Sequence, residues 1–458
     1  MKGTLWGGDS PLDPDLDAYT VGKDRELDAR LLPWDILGTM AHAAGLTEIG
    51  ILSREEGRAL HRALAEALRE AEEGSFAPGP EDEDVHSALE KYLVAKLGPL
   101  GRKVHAGRSR NDQVLADLRL FLKDALFRVM EALGETVRAL VRFGKSHAGV
   151  VLPGYTHQRR AMPSSVGLWA AGFAEALLED LFPLEAALDV ADRSPLGSAA
   201  GYGVPLPLPR EKTARLLGFS AVQLNVTAAQ PSRGKLETQV LQALWGPGYD
   251  LAKLSWDVIL YTSEEFGFFR LPEVFATGSS IMPQKRNPDL FELTRANAGV
   301  LEGLLLQAMA VCSKLPSGYH RDLQLTKGPV MEGVELALRM FGAVSKTVPA
   351  LEVDREACER AVKGPILATD EALRRVREGT PFRDAYRETA EIVKSGGEVP
   401  GLSPSEILES RKYPGGAGAP AWERIEEELS AREEKIRSRR DAFREALDSL
   451  AARGGLEG

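Results

Sequence analysis

Four polar stretches hold side chains able to move protons or bind carboxylates, and each joins apolar runs of helical period. The first is Gly278-Ser-Ser-Ile-Met-Pro-Gln-Lys-Arg-Asn-Pro-Asp289. Its Gly-Ser-Ser start exposes backbone N–H groups and two hydroxyls, and Lys285 adds a fixed positive charge. Asn287-Pro288-Asp289 then spells a helix start, with Asn at N-cap, Pro at N1 and Asp in the first turn. Glu292 falls one turn inside that helix. The second stretch is Gly107-Arg-Ser-Arg-Asn-Asp-Gln113, where Arg108 and Arg110 flank Ser109 just before a long helix. Either Asn111 or Asp112 can cap that helix, and cations beside a helix N-terminus favour carboxylate oxygens. The third, Gly154-Tyr-Thr-His157, places an imidazole after a Pro-Gly turn and ahead of a helix. The fourth, from Leu315 to Lys327, joins two helices and carries Tyr319, Gln324 and Lys327. In isolation it reads equally as a solvated inter-helix loop. His86, in Glu83-Asp-Val-His-Ser87, is open to simple helix capping as well.

Long helices must position these loops. From Asp112 to His147 there is no proline, and Leu115, Leu118, Leu122, Leu126, Val129, Leu133, Val137, Leu140 and Val141 recur at three- and four-residue steps. That is one apolar stripe at helical period, on a rod of about 54 Å. A second helical stretch spans about 163–192, with Pro163 in its first turn and a kink expected at Pro183. A third covers about 236–268, interrupted at Gly246-Pro247-Gly248. A fourth runs from about 288 to 315 and a fifth from about 330 to 348. With almost no two-residue alternation, this predicts an all-α fold: an N-terminal helical domain (1–109), a central long-helix bundle (110–353) and a C-terminal helical domain (354–458).

Composition narrows the classes. The 458 residues include 57 basic and 67 acidic side chains, a formal charge of −10, which argues against a nucleic-acid partner. Cys312 and Cys358 cannot form a disulfide framework in a chain this long. The start lacks the apolar region of a secretory signal, and no run reaches the roughly 18 apolar residues of a membrane span. A soluble, cytoplasmic protein is expected. No metal-ligand spacing, phosphate-binding glycine loop or dinucleotide fingerprint occurs, so no metal and no cofactor are expected.

The 278–289 string resembles the signature loop of the fumarase/aspartase superfamily, whose members eliminate across a succinyl unit to release fumarate. Gln284, Asp289, the 107–113 string, Gly-Tyr-Thr-His157 and the Tyr319–Gln324–Lys327 spacing look most like its argininosuccinate lyase and delta-crystallin branch. Leu367-Ala-Thr-Asp370 and Gly379-Thr-Pro-Phe-Arg383 extend the resemblance over nearly the whole chain.

The resemblance implies a long-helix fold and reversible β-elimination of argininosuccinate to arginine and fumarate, in arginine biosynthesis, through an aci-carboxylate carbanion. By the same resemblance Ser279 and His157 are base and acid, in an order the residues leave open. Glu292 supports His157, and Lys285, with Asn287 and Arg233, steadies the developing charge. Substrate contacts map to Ser109, Arg110, Asn111, Thr156, Arg233, Asn287, Tyr319, Gln324, Lys327 and His86. The implied assembly is a homotetramer with each site shared among three chains.

The chain departs from the pattern at four places. Gly7-Gly8-Asp9-Ser10 replaces Gly-Gly-Arg-Phe, Asp24 replaces a substrate-contacting Ser, Arg159 stands where many members have Gln, and Gly234 replaces the Asp after Arg233. Adenylosuccinate lyase and fumarase share the Gly-Ser-Ser loop without the 107–113 string. An inactive crystallin-like protein would have no reason to keep Ser279, His157, Lys285 and Glu292.

Overall fold

A computed structural model describes residues 13–79 and 82–456. The Gly7–Ser10 departure lies outside the described residues. Seven helices carry the architecture: α1 (Arg110–Ser146), α2 (Val166–Glu179), α3 (Leu181–Ala191), α4 (Lys235–Tyr261), α5 (Asp289–Cys312), α6 (Lys327–Thr347) and α7 (Trp422–Arg453). The fold is all-α, with three two-stranded pairs among the described residues.

α1 is the axis. Its stripe is buried from Leu115 to Val141, and each such side chain contributes roughly 1.5–3 kcal/mol when removed from water. The cap is neither Asn111 nor Asp112. Ser109 holds an extended backbone, its Oγ accepts the Asn111 N–H, and the Asp112 carboxylate reaches back to the Ser109 N–H at 2.9 Å, closing a capping box. The other Asp112 oxygen accepts the N–H groups of Gly197 (3.0 Å) and Ala199 (2.8 Å). One buried carboxylate thus fastens the start of α1 to the turn that follows α3.

α4 runs in the direction of α1. Arg119 donates to Ser232 just before α4 begins, and the Phe143 ring lies 5.9 Å from Phe269 beyond its end. The expected break at Gly246-Pro247-Gly248 is absent, and α4 is continuous through a buried Pro247. The glycines serve close approach: a Cβ at Gly246 would meet Asp180 at 2.5 Å, and one at Gly248 would meet Leu301 at 3.0 Å. α5 returns antiparallel along α4, so Cys312 lies against Gly234, and α6 runs back beside α1. The second stretch breaks at Asp180 rather than at Pro183, which sits in the first turn of α3 where no N–H partner is needed.

The largest correction is at residues 151–165. Pro163 does not open a helix; β1 (Val151–Thr156) pairs antiparallel with β2 (Arg159–Ser165), with a register shift between Pro153 and Tyr155. The two-residue turn is His157-Gln158, with φ of 53° and 57°, the left-handed values of a type I′ turn. α2 starts three residues later than Pro163, capped by Ser165 Oγ on the Leu168 N–H.

The N-terminal helix Leu32–Glu48 packs on α1, and Arg54–Glu72 and Val85–Leu97 pack on that helix. Residues 355–409 form short helices around Val362, Ile366, Leu367, Val399 and Ile407, with Val151 of β1 in the same cluster. α7 lies along α1, where Phe443 meets Phe127 and Lys145 pairs with Glu426 at 2.7 Å. Among the described residues, no helix is long and apolar enough to cross a membrane.

Candidate active site

The candidate residues gather at the two ends of the bundle. One end carries the 278–289 loop, the hairpin and the first turn of α5. The loop is pinched at its base: Thr277 and Asn287 exchange backbone hydrogen bonds (3.2 and 2.8 Å), and Asn287 Nδ2 donates to Thr277 Oγ1 and to the Gly278 carbonyl. Thr277 Oγ1 in turn donates to Asp289. Asn287 is therefore held in a bridge and does not cap α5; Pro288 occupies that position and Asp289 is the first helical residue. Inside the loop, Ser279 Oγ accepts the N–H groups of Ile281 (3.4 Å) and Met282 (3.2 Å). Lys285 is exposed and pairs with no carboxylate among the described residues, whereas its neighbour Arg286 holds Glu273 at 3.2 Å.

Thr156 and His157 are exposed at the hairpin tip, and Arg159 opens β2 beside them. The Tyr155 ring lies 5.7 Å from Phe266, which puts the hairpin at the same end of the bundle as the loop. Glu292 is exposed on α5, and no hydrogen bond or ion pair joins it to His157 within the chain.

The opposite end carries the remaining candidates. Lys327, 1% exposed, pairs with Asp24 at 2.6 Å and with Asp28. Gln324 Nε2 donates to the carbonyls of Thr20 (3.0 Å) and Val21 (3.1 Å). Arg233 is buried with its guanidinium 5.5 Å from the Tyr319 ring centroid. Gly234 has φ 78°, and any side chain there would run into Cys312.

Arg110 reaches Glu83 (2.7 Å), Asp84 (3.2 Å) and Ser87 Oγ (2.7 Å), so it braces the start of Val85–Leu97. Asp84, not His86, caps that helix. His86 is buried with Nδ1 2.9 Å from Asp35 and 3.8 Å from Asp117. Burial opposes its charge, but the carboxylates of Asp35, Asp84 and Asp117 outweigh that and push its pKa up to about 10. Burial, with Asp35 adding to it, raises the Asp117 carboxyl well above the carboxylate range.

Ser109, Arg110, Asn111, His86, Arg233, Tyr319, Gln324 and Lys327 thus share one end, and Thr156, His157, Ser279, Lys285, Asn287 and Glu292 the other. The 24 residues of α5 set the separation at about 36 Å. Sequence reasoning missed Thr277, Asp28, Asp35 and Asp117. Asp24 and Asp28 stand four apart, the spacing of one helix face, but nothing in the sequence pairs them with a lysine some 300 positions away.

A family model described as "Lyase" matches residues 17–303. The chain is 47% identical over 390 residues to the argininosuccinate lyase of Sorangium cellulosum, covering 85% of this chain and 90% of that one. It is 42% identical to the argininosuccinate lyase of Thermotoga neapolitana, covering 85% and 98%. In structure it is similar to an EDDS lyase in complex with formate, at TM-score 0.80 and 23% identity, over 97% of this chain and 95% of that one. A class II fumarase from Schistosoma mansoni has the same fold at TM-score 0.70 and 18% identity, over 85% and 91%. With a family match over more than half its length and relatives above 40% identical across most of it, the chain belongs to the argininosuccinate lyase family.

Proposed function

We propose that this chain cleaves argininosuccinate to arginine and fumarate, reversibly, as a step of arginine biosynthesis. The observation that carries the chemistry is the pair of amides on Ser279 Oγ in a chain of this family. The proton to be removed is weakly acidic, because its loss loads charge onto a carbon beside a carboxylate. An unperturbed serine is a poor base for it. Two N–H dipoles aimed at Oγ, with the Lys285 ammonium on the same loop, lower the energy of the alkoxide.

Ser279, as the alkoxide left once its hydroxyl proton has passed to solvent, takes the carbon-bound proton, and the electron pair passes into the adjacent carboxylate as an aci-carboxylate. It returns to form the C=C bond of fumarate as the C–N bond breaks. His157, supported by Glu292, protonates the departing guanidino nitrogen. Lys285 and Asn287 face the developing dianion. The residues at the other end hold the rest of the substrate.

A separation of about 36 Å is too long for one substrate, so each site draws on more than one chain of a homotetramer, three in our reading. The outer faces of α4 and α5 support this. Trp245, Tyr249, Trp256, Leu293 (62% exposed) and Leu306 (57%) lie bare there, a face suited to burial against copies of itself. The two cysteines are free, in keeping with a cytoplasmic location. The partner is a small molecule, with no nucleic acid and no membrane.

The test is fumarate release, read by ultraviolet absorbance, from argininosuccinate and from adenylosuccinate. Release from the first and none from the second is expected. Silence with argininosuccinate from assembled protein overturns the reading.

A further inference from the structure

The hairpin of β1 and β2 sorts its side chains by face. Its register sets Tyr155 opposite Arg160 and Thr156 opposite Arg159. Residues directly opposite on antiparallel strands project to one face, and successive residues to alternate faces. Tyr155 packs against the rings of Tyr261 (6.5 Å) and Phe266 (5.7 Å), so the face it shares with Arg160 is the one against the bundle. Arg160 is anchored there, donating to the Ala361 carbonyl at 3.2 Å. Thr156 and Arg159 therefore share the other face, turned away from their own bundle at the root of the turn that carries His157.

Arg159 is exposed and makes no hydrogen bond or ion pair among the described residues. An exposed arginine without a partner is ordinary by itself. This one is fixed in place by the left-handed pair His157-Gln158, across from Thr156 and two positions from the proposed acid. The reaction supplies a matching anion. The succinyl half of argininosuccinate carries two carboxylates, and Lys285 and Asn287 face the one beside the carbon that loses its proton. The other is borne by the carbon that holds the guanidino nitrogen, so it arrives with the breaking C–N bond next to His157. Lys285 is committed to the first carboxylate, and the second needs a cation of its own. A guanidinium presents two parallel donors that match the two oxygens of a carboxylate.

We propose that Arg159 binds this second carboxylate, with Thr156 beside it, and is a specificity-determining residue for the succinyl half. It makes the enzyme demand a dicarboxylate, and it turns the carbon of the breaking bond towards His157. Arg160, its neighbour in sequence, is held on the opposite face and takes no part. This inference rests on the proposed lyase reaction.

The test measures argininosuccinate cleavage with fumarate and with arginine as product inhibitors, in the parent, Arg159→Gln and Arg159→Lys. In Arg159→Gln the fumarate inhibition constant should rise by roughly 20-fold while that of arginine stays within about 2-fold, because only the dicarboxylate loses a charge-assisted pair. Arg159→Lys keeps the charge without the fork, so its fumarate constant should return to within about 5-fold of the parent. Arg159 holds no other described residue of the chain, so both variants should fold and assemble as the parent does, which native mass spectrometry checks. An unchanged fumarate constant in Arg159→Gln overturns the contact. Equal weakening of fumarate and arginine, or loss of assembly, makes Arg159 a contact between chains and overturns it as well. A parent that cleaves no argininosuccinate overturns the lyase reaction itself, and the contact with it.

Discussion

Ser279 Oγ accepts the Met282 N–H at 3.2 Å, within the turn that its own loop makes. In the proposed mechanism base and stabilising dipole are therefore parts of one short segment, and that segment is closed at its root by the Thr277–Asn287 bridge. The oxygen needs no reorientation of distant groups to carry charge; its donors are in place beforehand.

Replacing Ser279 by Ala should lower kcat by roughly 1,000-fold or more and change argininosuccinate affinity only a few-fold. Single-turnover kinetics and calorimetric binding separate the two effects. A variant with near-parental kcat would remove Ser279 from the proton transfer.

Thr277→Val preserves side-chain shape and deletes the hydroxyl that links Asn287 to Asp289. With the root of the loop loosened, kcat should fall by about 10-fold, since small displacements of reacting groups are expensive. The melting temperature should barely move, because Thr277 is exposed and Asn287 and Asp289 are only half-buried. A large drop in melting temperature with unchanged kcat would give Thr277 a purely structural part.

The stripe on α1 was legible because nine apolar positions repeat at helical steps over a proline-free run. The loops were legible because their residue types are rare together. The hairpin was hidden for a physical reason: Pro153, Gly154 and Pro163 read as turn and helix start, and its I′ turn uses His157-Gln158 in place of the usual Asn-Gly. Gly246-Pro247-Gly248 misled in the opposite way, since its glycines answer to Asp180 and Leu301 on other helices. Lys327 was found, but its two carboxylate partners were not. Its charge belongs to Asp24 and Asp28, contacts made only when the N-terminal segment folds over the far end of the bundle.

Asp112 serves three N–H groups with two oxygens while fully buried. Asp112→Asn turns one of those acceptors into a donor facing donors. We expect a loss of about 2–4 kcal/mol in stability, visible as a lower melting temperature, and weaker substrate binding as Ser109 and Asn111 lose their anchor. Unchanged melting would contradict the anchoring role.

His86 links stability to pH. Its folded pKa is raised to about 10 from an ordinary 6.5, so protonation favours the folded state. The contribution is full below about pH 6.5, declines as pH rises, and is gone above about pH 10. The melting-temperature gap between the parent and His86→Asn should therefore narrow steadily from pH 6.5 to pH 10. A gap constant across that window would mean that His86 is neutral in its cluster.

The most direct test of a site shared between chains mixes two inactive variants, Ser279→Ala and Asn111→Ala, one damaged at each end of the bundle. In the proposed assembly, refolding them together gives tetramers in which an intact Ser279 of one chain meets an intact Asn111 of another. Recovery of argininosuccinate cleavage in tetramers shown by native mass spectrometry to contain both chains is the predicted result. Mixed tetramers as inactive as either variant alone would contradict a site drawn from more than one chain.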